Sequence, residues 1–296
     1  MSLYNNYNET LRAQFGTRVQ KISINAGFTC PNRDGRVGVG GCTYCNNLTF
    51  HPQYCKPEKS PLQQLEEGMD FFKKYKDQKY MPYFQTYTNT YAPLSTLKEL
   101  YTPLLNQKNV VGLVVGTRPD CVDEPMLDYF AELAKTTYVM LEYGVESTLN
   151  TTLKTINRGH NYETSEWAIR ATHERGIHTG AHLILGLPGE TQPDFMHHAD
   201  KLSELPLDML KLHQLQIVRG TKMYEDYKKD PSPFHLFELE DYIKVVCRFL
   251  KRLNPNIGLE RFISSSPEEY LVAPDWGIKN FEFVHKLEKS LLEDNF

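Results

Sequence analysis

The chain has 296 residues, 40% of them hydrophobic and 24% charged, with a formal net charge of −4. That suits one large α/β barrel or two smaller domains of an ordinary soluble enzyme, and it excludes a global basic field advertising nucleic-acid binding. Six cysteines over this length are no disulfide framework, and no apolar run approaches the ~18 residues of a membrane helix. The polar N-terminal stretch carries no signal-peptide pattern. Free thiols imply a reducing compartment, so the expected location is the cytoplasm.

In chain order, the first strand is expected from Arg18 to Ile24. It runs into the glycine-rich stretch Cys30-Pro-Asn-Arg-Asp-Gly-Arg-Val-Gly-Val-Gly-Gly-Cys-Thr-Tyr-Cys45. Glycines at 35, 38, 40 and 41 would let this loop take positive φ angles and bend around a bulky group. Leu62, Leu65, Met69 and Phe72 space a helix over Pro61 to Tyr80. Tyr83 to Tyr87 reads as a strand, followed by Thr88-Asn89-Thr90. Ser95 is placed to cap the next helix. Val110 to Val115 is a continuous apolar run, as in a strand covered on both faces, and ends in Gly-Thr-Arg-Pro-Asp at 116–120. A helix over Pro125 to Lys135 and a strand over Tyr138 to Leu141 lead to Glu142-Tyr-Gly-Val-Glu-Ser147. Two helices, Leu149 to Ile156 and Glu163 to Arg175, precede a fifth strand, His178 to Leu185. Asp194 to Glu204 is helical, and Leu210 to Val218 is a sixth strand.

Six strands alternating with helices predict a parallel sheet with helices outside, either doubly wound or closed into part of a barrel. Polar motifs follow nearly every strand, at the end where barrels place their sites. From Thr221 the alternation stops. Helices are expected over Leu239 to Leu253 and Phe281 to Leu292. Residues 1–220 therefore read as the barrel, and residues 221–296 as a helical extension packed on it.

Cys30, Cys42 and Cys45 are three soft ligands in one loop with no nearby histidine. Thiolates suit zinc, copper(I) or iron–sulfur clusters. A structural zinc site wants four ligands, and Cys55 could supply the fourth. Three thiolates on a cubane cluster instead leave one iron open to a small molecule.

The three-cysteine loop, with Tyr44 just before the last ligand, resembles the radical S-adenosylmethionine (SAM) enzymes. The gaps of eleven and two residues depart from the commonest three-then-two spacing and resemble the radical SAM domain of the Elongator catalytic subunit. Cys-Pro-Asn-Arg-Asp-Gly looks more specifically like the YhcC/YtqA-like branch. The likeness runs from about Arg18 to Trp276.

The resemblance implies an α/β fold: a partial (β/α)6 TIM-like radical SAM barrel with a helical C-terminal extension. It implies a [4Fe-4S] cluster on Cys30, Cys42 and Cys45, and S-adenosyl-L-methionine bound at its open iron. Reductive cleavage of SAM would give a 5′-deoxyadenosyl radical that takes hydrogen from a substrate. A one-electron reductant such as flavodoxin or ferredoxin is the implied partner. RNA is a substrate class by family analogy, and no membrane is involved.

By position, Thr88, Asn89 and Thr90 stand where the family holds the methionine amino group. Glu142, Glu146 and Ser147 match its ribose-side motif, and Arg158 the grip on the methionine carboxylate. His182 would face the ribose, Ile184 the adenine, with Val218 and Tyr44 beside the adenine. Gln214 and Gln216 are candidate substrate contacts. Cys55, Cys121 and Cys247 are given no ligand role. No second compact cysteine cluster is present, which argues against an auxiliary cluster. The alternative from another class is an iron–sulfur or zinc binding module that cleaves no SAM; it would not need the motifs after strands two, four and five.

Overall fold

Strands that are apolar on both faces need cover on both sides, and the chain supplies it with helices outside and a plug inside. The computed structural model describes residues 3–46, 52–73 and 77–293. Its elements are α1 (Tyr7–Phe15), β1 (Val19–Ile24), α2 (Pro61–Phe71), β2 (Lys79–Phe84), α3 (Leu94–Leu105), β3 (Gly112–Thr117) and α4 (Glu124–Ala134). Then come β4 (Tyr138–Glu146), α5 (Asn150–Thr155), α6 (Tyr162–Glu174), β5 (His178–Leu185), α7 (Gln192–Ser203), β6 (Met209–Gln214) and β7 (Ile217–Val218). The chain continues through α8 (Lys222–Lys229), α9 (Leu239–Arg252), β8 (Gly258–Arg261), β9 (Leu271–Ala273) and α10 (Asn280–Glu293). Among the described residues no helix is long and apolar enough to cross a membrane.

Seven strands form one parallel sheet in the order β1-β2-β3-β4-β5-β6-β8, and β7 pairs antiparallel with β9. The large sheet curls until its two edges face each other, because Lys21 of β1 pairs with Glu260 of β8. This is a curled half-barrel. The first helix bridges the two edges: Asn6, its N-cap, forms a parallel bridge with Leu259. Gly258 is a glycine because a Cβ there would lie 3.0 Å from the Tyr7 ring.

The period of two along each strand divides the molecule into two interiors. On β4, Val139, Leu141, Tyr143 and Val145 join the outer core beneath the helices. Tyr138 and Met140 face the barrel, where they pack with Tyr7, Leu11, Met81, Tyr83, Val114 and Met209. Those side chains fill the lower barrel. Above them the strand interiors turn polar and open into a cavity.

The fold differs from expectation at several elements. The expected sixth strand, Leu210 to Val218, breaks after Gln214, and β7 pairs with β9 instead; β4 runs on to Glu146, through the motif expected to follow it; and β3 starts at Gly112 and ends at Thr117, two residues later than the apolar run Val110 to Val115. The helix from Pro61 stops at Phe71, capped by Phe72, and Tyr80 belongs to β2 beside Gln20; positions 74–76 of the expected helix lie outside the described residues. Strand β2 runs from Lys79 to Phe84 and not from Tyr83 to Tyr87, since Tyr87 turns into the left-handed region at φ 57°. Pro82 reads as a breaker but is tolerated because the β2–β3 ladder begins only at Tyr83. The third helix starts at Leu94 with Pro93 as its N-cap, so Ser95 lies within the first turn and caps nothing. Finally, the extension is not purely helical: β8, four residues with Glu260 and Arg261 among them, is a seventh strand of the sheet.

Leu11 is nearly fully buried in the plug. Leu11→Ala is expected to cost about 2–5 kcal/mol, read as a lower urea midpoint at unchanged slope.

Candidate active site

A cavity of about 790 Å³ opens at the C-terminal ends of the strands, within the size range of small-molecule sites. Cys30, Cys42 and Cys45 all line it. Their loop is shaped by a hairpin within the spacer, where Asp34 bridges Val39 and Gly41 N donates to Asn32 O at 2.8 Å. Gly35, Gly40 and Gly41 do take positive φ. Gly38 does not; it is small because a Cβ there would lie 2.3 Å from Asn32 Oδ1.

The segment after α5 forms the back of this loop. Thr43 N donates to Ile156 O at 2.9 Å, and Asn157 Nδ2 to Gly41 O at 2.8 Å. Arg158 reaches further in, donating from Nη1 to Cys42 Sγ at 3.5 Å and from Nη2 to Gly144 O at 2.5 Å. Arg158, from a segment distant in sequence, is thus in direct contact with the cysteine loop. Gly144 makes this possible, since a Cβ there would sit 2.5 Å from both Arg158 Nη2 and Glu146 Oε1. A bulge between Gly144 and Glu146, with Glu146 at φ 66°, re-aims the carboxylate toward Arg158 at 3.7 Å. Burial would lower the Arg158 pKa, but Tyr44, Cys42 and Glu146 outweigh it and hold the guanidinium firmly charged.

One layer lower, the floor is a buried charge network. Glu142 accepts from Lys21 at 2.7 Å, from Lys211 at 2.6 Å and has His182 Nε2 at 2.9 Å. Glu260 completes it through Lys21. Burial would raise the Glu142 carboxyl, but Lys21, Lys211 and His182 hold it well below the ordinary 4.5. Both of its oxygens thus have protein partners. Burial, then His182 and Arg261, push His213 well below an ordinary imidazole.

The expected site residues divide cleanly. Tyr44, Thr88, Glu142, Glu146, Arg158, His182, Ile184 and Val218 line the cavity with the cysteines. Asn89, Thr90 and Ser147 do not. Asn89 Nδ2 donates to Gly116 O at 2.8 Å, Thr90 meets Thr117 Oγ1 at 2.6 Å, and Ser147 donates to Glu190 at 2.5 Å. Gln214 and Gln216 line the wall, but their amides are committed to the 264–267 segment. Gln214 Oε1 accepts from Ser264 N at 2.7 Å and Gln216 Oε1 from Ser266 Oγ at 2.8 Å. Cys55 lies apart from the cavity, in the outer core.

Lys21 and Lys211 were missed, although each is a lysine within a strand, at an inward position. Glu260 carried no such signal, because its strand was not recognised. Arg118, quoted in the motif after β3, was given no role; it is buried, holds Asp120 through two 2.8 Å bonds and donates to Arg158 O at 2.9 Å.

These residues fit an iron–sulfur cluster with an anionic ligand group beside it. Burial, then the neighbouring Cys42 thiol, pushes Cys45 up to about 11, so it ionises readily only against an added positive charge such as cluster iron. Among the described residues no three His, Cys, Asp or Glu side chains form a single-ion site. The three cysteines line one cavity. Thr88 Oγ1, Arg118 Nη1 and Arg158 Nε are buried without partners among the described residues, on residues that line this cavity.

Residues 27–202 match the family model of the Radical SAM superfamily, and residues 207–293 that of the Radical_SAM C-terminal domain. The chain belongs to the radical SAM superfamily. YtqA of Bacillus subtilis (strain 168) is 33% identical over 97% of this chain and 89% of its own length. A tRNA uridine(34) acetyltransferase of Methanocaldococcus infernus is 30% identical, over 49% of this chain and 27% of its own. The structure of the archaeal Methanocaldococcus infernus Elp3 with an N-terminal deletion has a TM-score of 0.71 at 18% identity, covering 93% of this chain and 63% of that one. The chain therefore sits in the YtqA-like branch, related to the Elongator catalytic subunit.

Glu142→Gln would leave Lys21 and Lys211 buried with half their compensation, a loss of about 3–5 kcal/mol. A depressed folded pKa stabilises above the ordinary carboxyl pKa and is lost as pH falls through the folded value. The penalty, measured by denaturant melts across pH, is expected to be full above about pH 4.5 and to shrink below it.

Proposed function

We propose that the chain is a radical SAM enzyme that carries a [4Fe-4S] cluster on Cys30, Cys42 and Cys45 and binds S-adenosyl-L-methionine beside it. The observation that carries this reading is the convergence of three cysteines, Glu146 and Arg158 on one cavity with buried donors left unpartnered. When bound, the cluster and SAM supply one-electron cleavage of the sulfur–C5′ bond, yielding methionine and a 5′-deoxyadenosyl radical that takes hydrogen from the substrate.

The chain's own residues bind and orient. Arg158, with its free Nε, is assigned the methionine carboxylate, and Thr88 the amino group. Glu146 is assigned the ribose end. His182 and Ile184 follow on the same inward face of β5, and Tyr44 and Val218 flank the adenine. Asn89, Thr90 and Ser147 tie down the loops that carry these groups. Glu142 is assigned to the floor, where it neutralises Lys21 and Lys211. The 264–267 segment, bound to β6 through His213, Gln214 and the following Gln216, walls the substrate end and keeps water out.

RNA is the proposed substrate class, by analogy with the tRNA uridine(34) acetyltransferase that shares half the chain. Flavodoxin or ferredoxin is the proposed reductant, and the cytoplasm the proposed location.

Anaerobic reconstitution tests the reading. The expected result is an oxygen-sensitive four-iron cluster that is lost in Cys30→Ala, Cys42→Ala or Cys45→Ala and kept in Cys55→Ala. Reduced protein should form 5′-deoxyadenosine and methionine from SAM. Stoichiometric zinc without iron–sulfur absorbance, or S-adenosylhomocysteine as sole product, overturns it.

Arg158→Lys keeps a cation near Cys42 but loses the planar fork. SAM affinity by calorimetry is expected to fall about ten- to a hundredfold, the equivalent of about 1.5–3 kcal/mol for a charge-assisted bond, with iron content unchanged. Normal affinity would remove Arg158 from the carboxylate.

A further inference from the structure

The eleven residues between Cys30 and Cys42 turn two side chains back onto the cysteines that follow. Val37 N and Gly38 N both donate to Pro31 O, at 2.8 and 3.3 Å, which folds the spacer over itself. Asn32 ends fully buried. Its Nδ2 donates to Cys42 Sγ at 3.7 Å and to Asn157 O at 2.6 Å. Arg33 Nη2 donates to Cys45 O at 2.7 Å, and the guanidinium lies against the Cys45 thiol.

Three glycines clear the space for these two side chains. A Cβ on Gly38 would lie 2.3 Å from Asn32 Oδ1, and one on Gly159 2.9 Å from the same atom. A Cβ on Gly41 would lie 2.8 Å from Arg33 Nε. Gly159 comes from a different segment, after α5, so two parts of the chain are cut to the shape of Asn32. A spacer whose task was only to link two ligands would need none of this.

N–H donors and positive charge at ligating sulfurs stabilise the more electron-rich, reduced form of an iron–sulfur cluster and raise its reduction potential. We propose that Asn32 and Arg33 are positioning residues that set the reduction potential of the cluster held by Cys30, Cys42 and Cys45, keeping it easier to reduce than the three cysteines alone would. The inference rests on the cluster reading above. It gives the long first spacer a function: the spacer carries donors for the two cysteines that follow it, while Arg158 supplies a second donor to Cys42 from behind. The step it governs adds one electron to the cluster and moves no proton.

The test is an electron-paramagnetic-resonance redox titration of reconstituted full-length protein, without SAM, using mediators and dithionite. Asn32→Ala removes an amide donor. Arg33→Met keeps the length of the side chain and removes its charge and donors, and Arg33→Lys restores the charge. Both Asn32→Ala and Arg33→Met are expected to hold four irons per chain and to be harder to reduce. The ratio of reduced to oxidised cluster at fixed potential should fall about tenfold, which for one electron is about 59 mV. Arg33→Lys should recover part of that shift. Iron-replete variants that titrate with the wild type overturn this inference and leave the cluster reading standing. Loss of iron from both Asn32→Ala and Arg33→Met also overturns it, because the residues would then assemble the loop and not tune it. Wild-type protein that takes up no cluster overturns the cluster reading, and this inference with it.

Discussion

The buried pairing of Lys21, Glu142, Lys211 and Glu260 is the constraint on which the rest of the molecule depends. Their strands, β1, β4, β6 and β8, are spread across the whole sheet order, so the network can form only if the sheet curls. Isolated charges at this depth would each carry a large desolvation penalty, and mutual attraction in a low dielectric offsets it only when every partner is in place. The network therefore selects the closed shape as much as it stabilises it. It also separates two environments. Below it, Tyr7, Leu11 and the methionines make a dry plug; above it, the inward positions are free to be polar.

The cofactor end is built the same way, by segments distant in sequence that are shaped for one another. The cysteine loop, the bulge at the end of β4 and the Asn157–Gly159 turn share hydrogen bonds. Gly144 and Gly159 are glycines where a side chain from another segment must pass, and Gly38 and Gly41 where the loop's own Asn32 and Arg33 must. Glu146 shows the cost of this arrangement: a non-glycine residue held at φ 66°, which tertiary contacts must sustain. Strain of that kind at a cavity wall is what precise placement of a carboxylate requires.

How much of this was legible depended on whether the signal was local. β5 was read to its ends because an apolar run, Leu183 to Leu185, meets a glycine stop at Gly186. The cysteines, Arg158 and Glu146 stood out by motif, and they do meet. Asn89, Thr90 and Ser147 belong to the same motifs but turn away from the cavity. A motif tells which segment reaches the site, whereas the turn geometry decides which of its side chains faces in. Gln214 and Gln216 line the cavity, as their inward alternation suggested, but they have a second task that was not legible. Each also binds another stretch of chain some 50 residues on, which no local pattern marked.

That stretch gives the C-terminal part its meaning. After β8 closes the sheet, the chain returns as 264–273 and fastens to β6 and β7 along its length. It does so through His213, Gln214, Gln216, Tyr270 O on Arg219 N, and the β7–β9 ladder. One wall of the cavity is therefore made by a segment outside the alternating strands and helices that carry the cysteine loop and Arg158. The two ends of the cavity are held differently: the cofactor end by glycines and a strained glutamate, the wall by Gln214 on the Ser264 backbone and by the Ser264 and Ser266 hydroxyls on His213 and Gln216. Ser265 lines the cavity between these two anchoring serines.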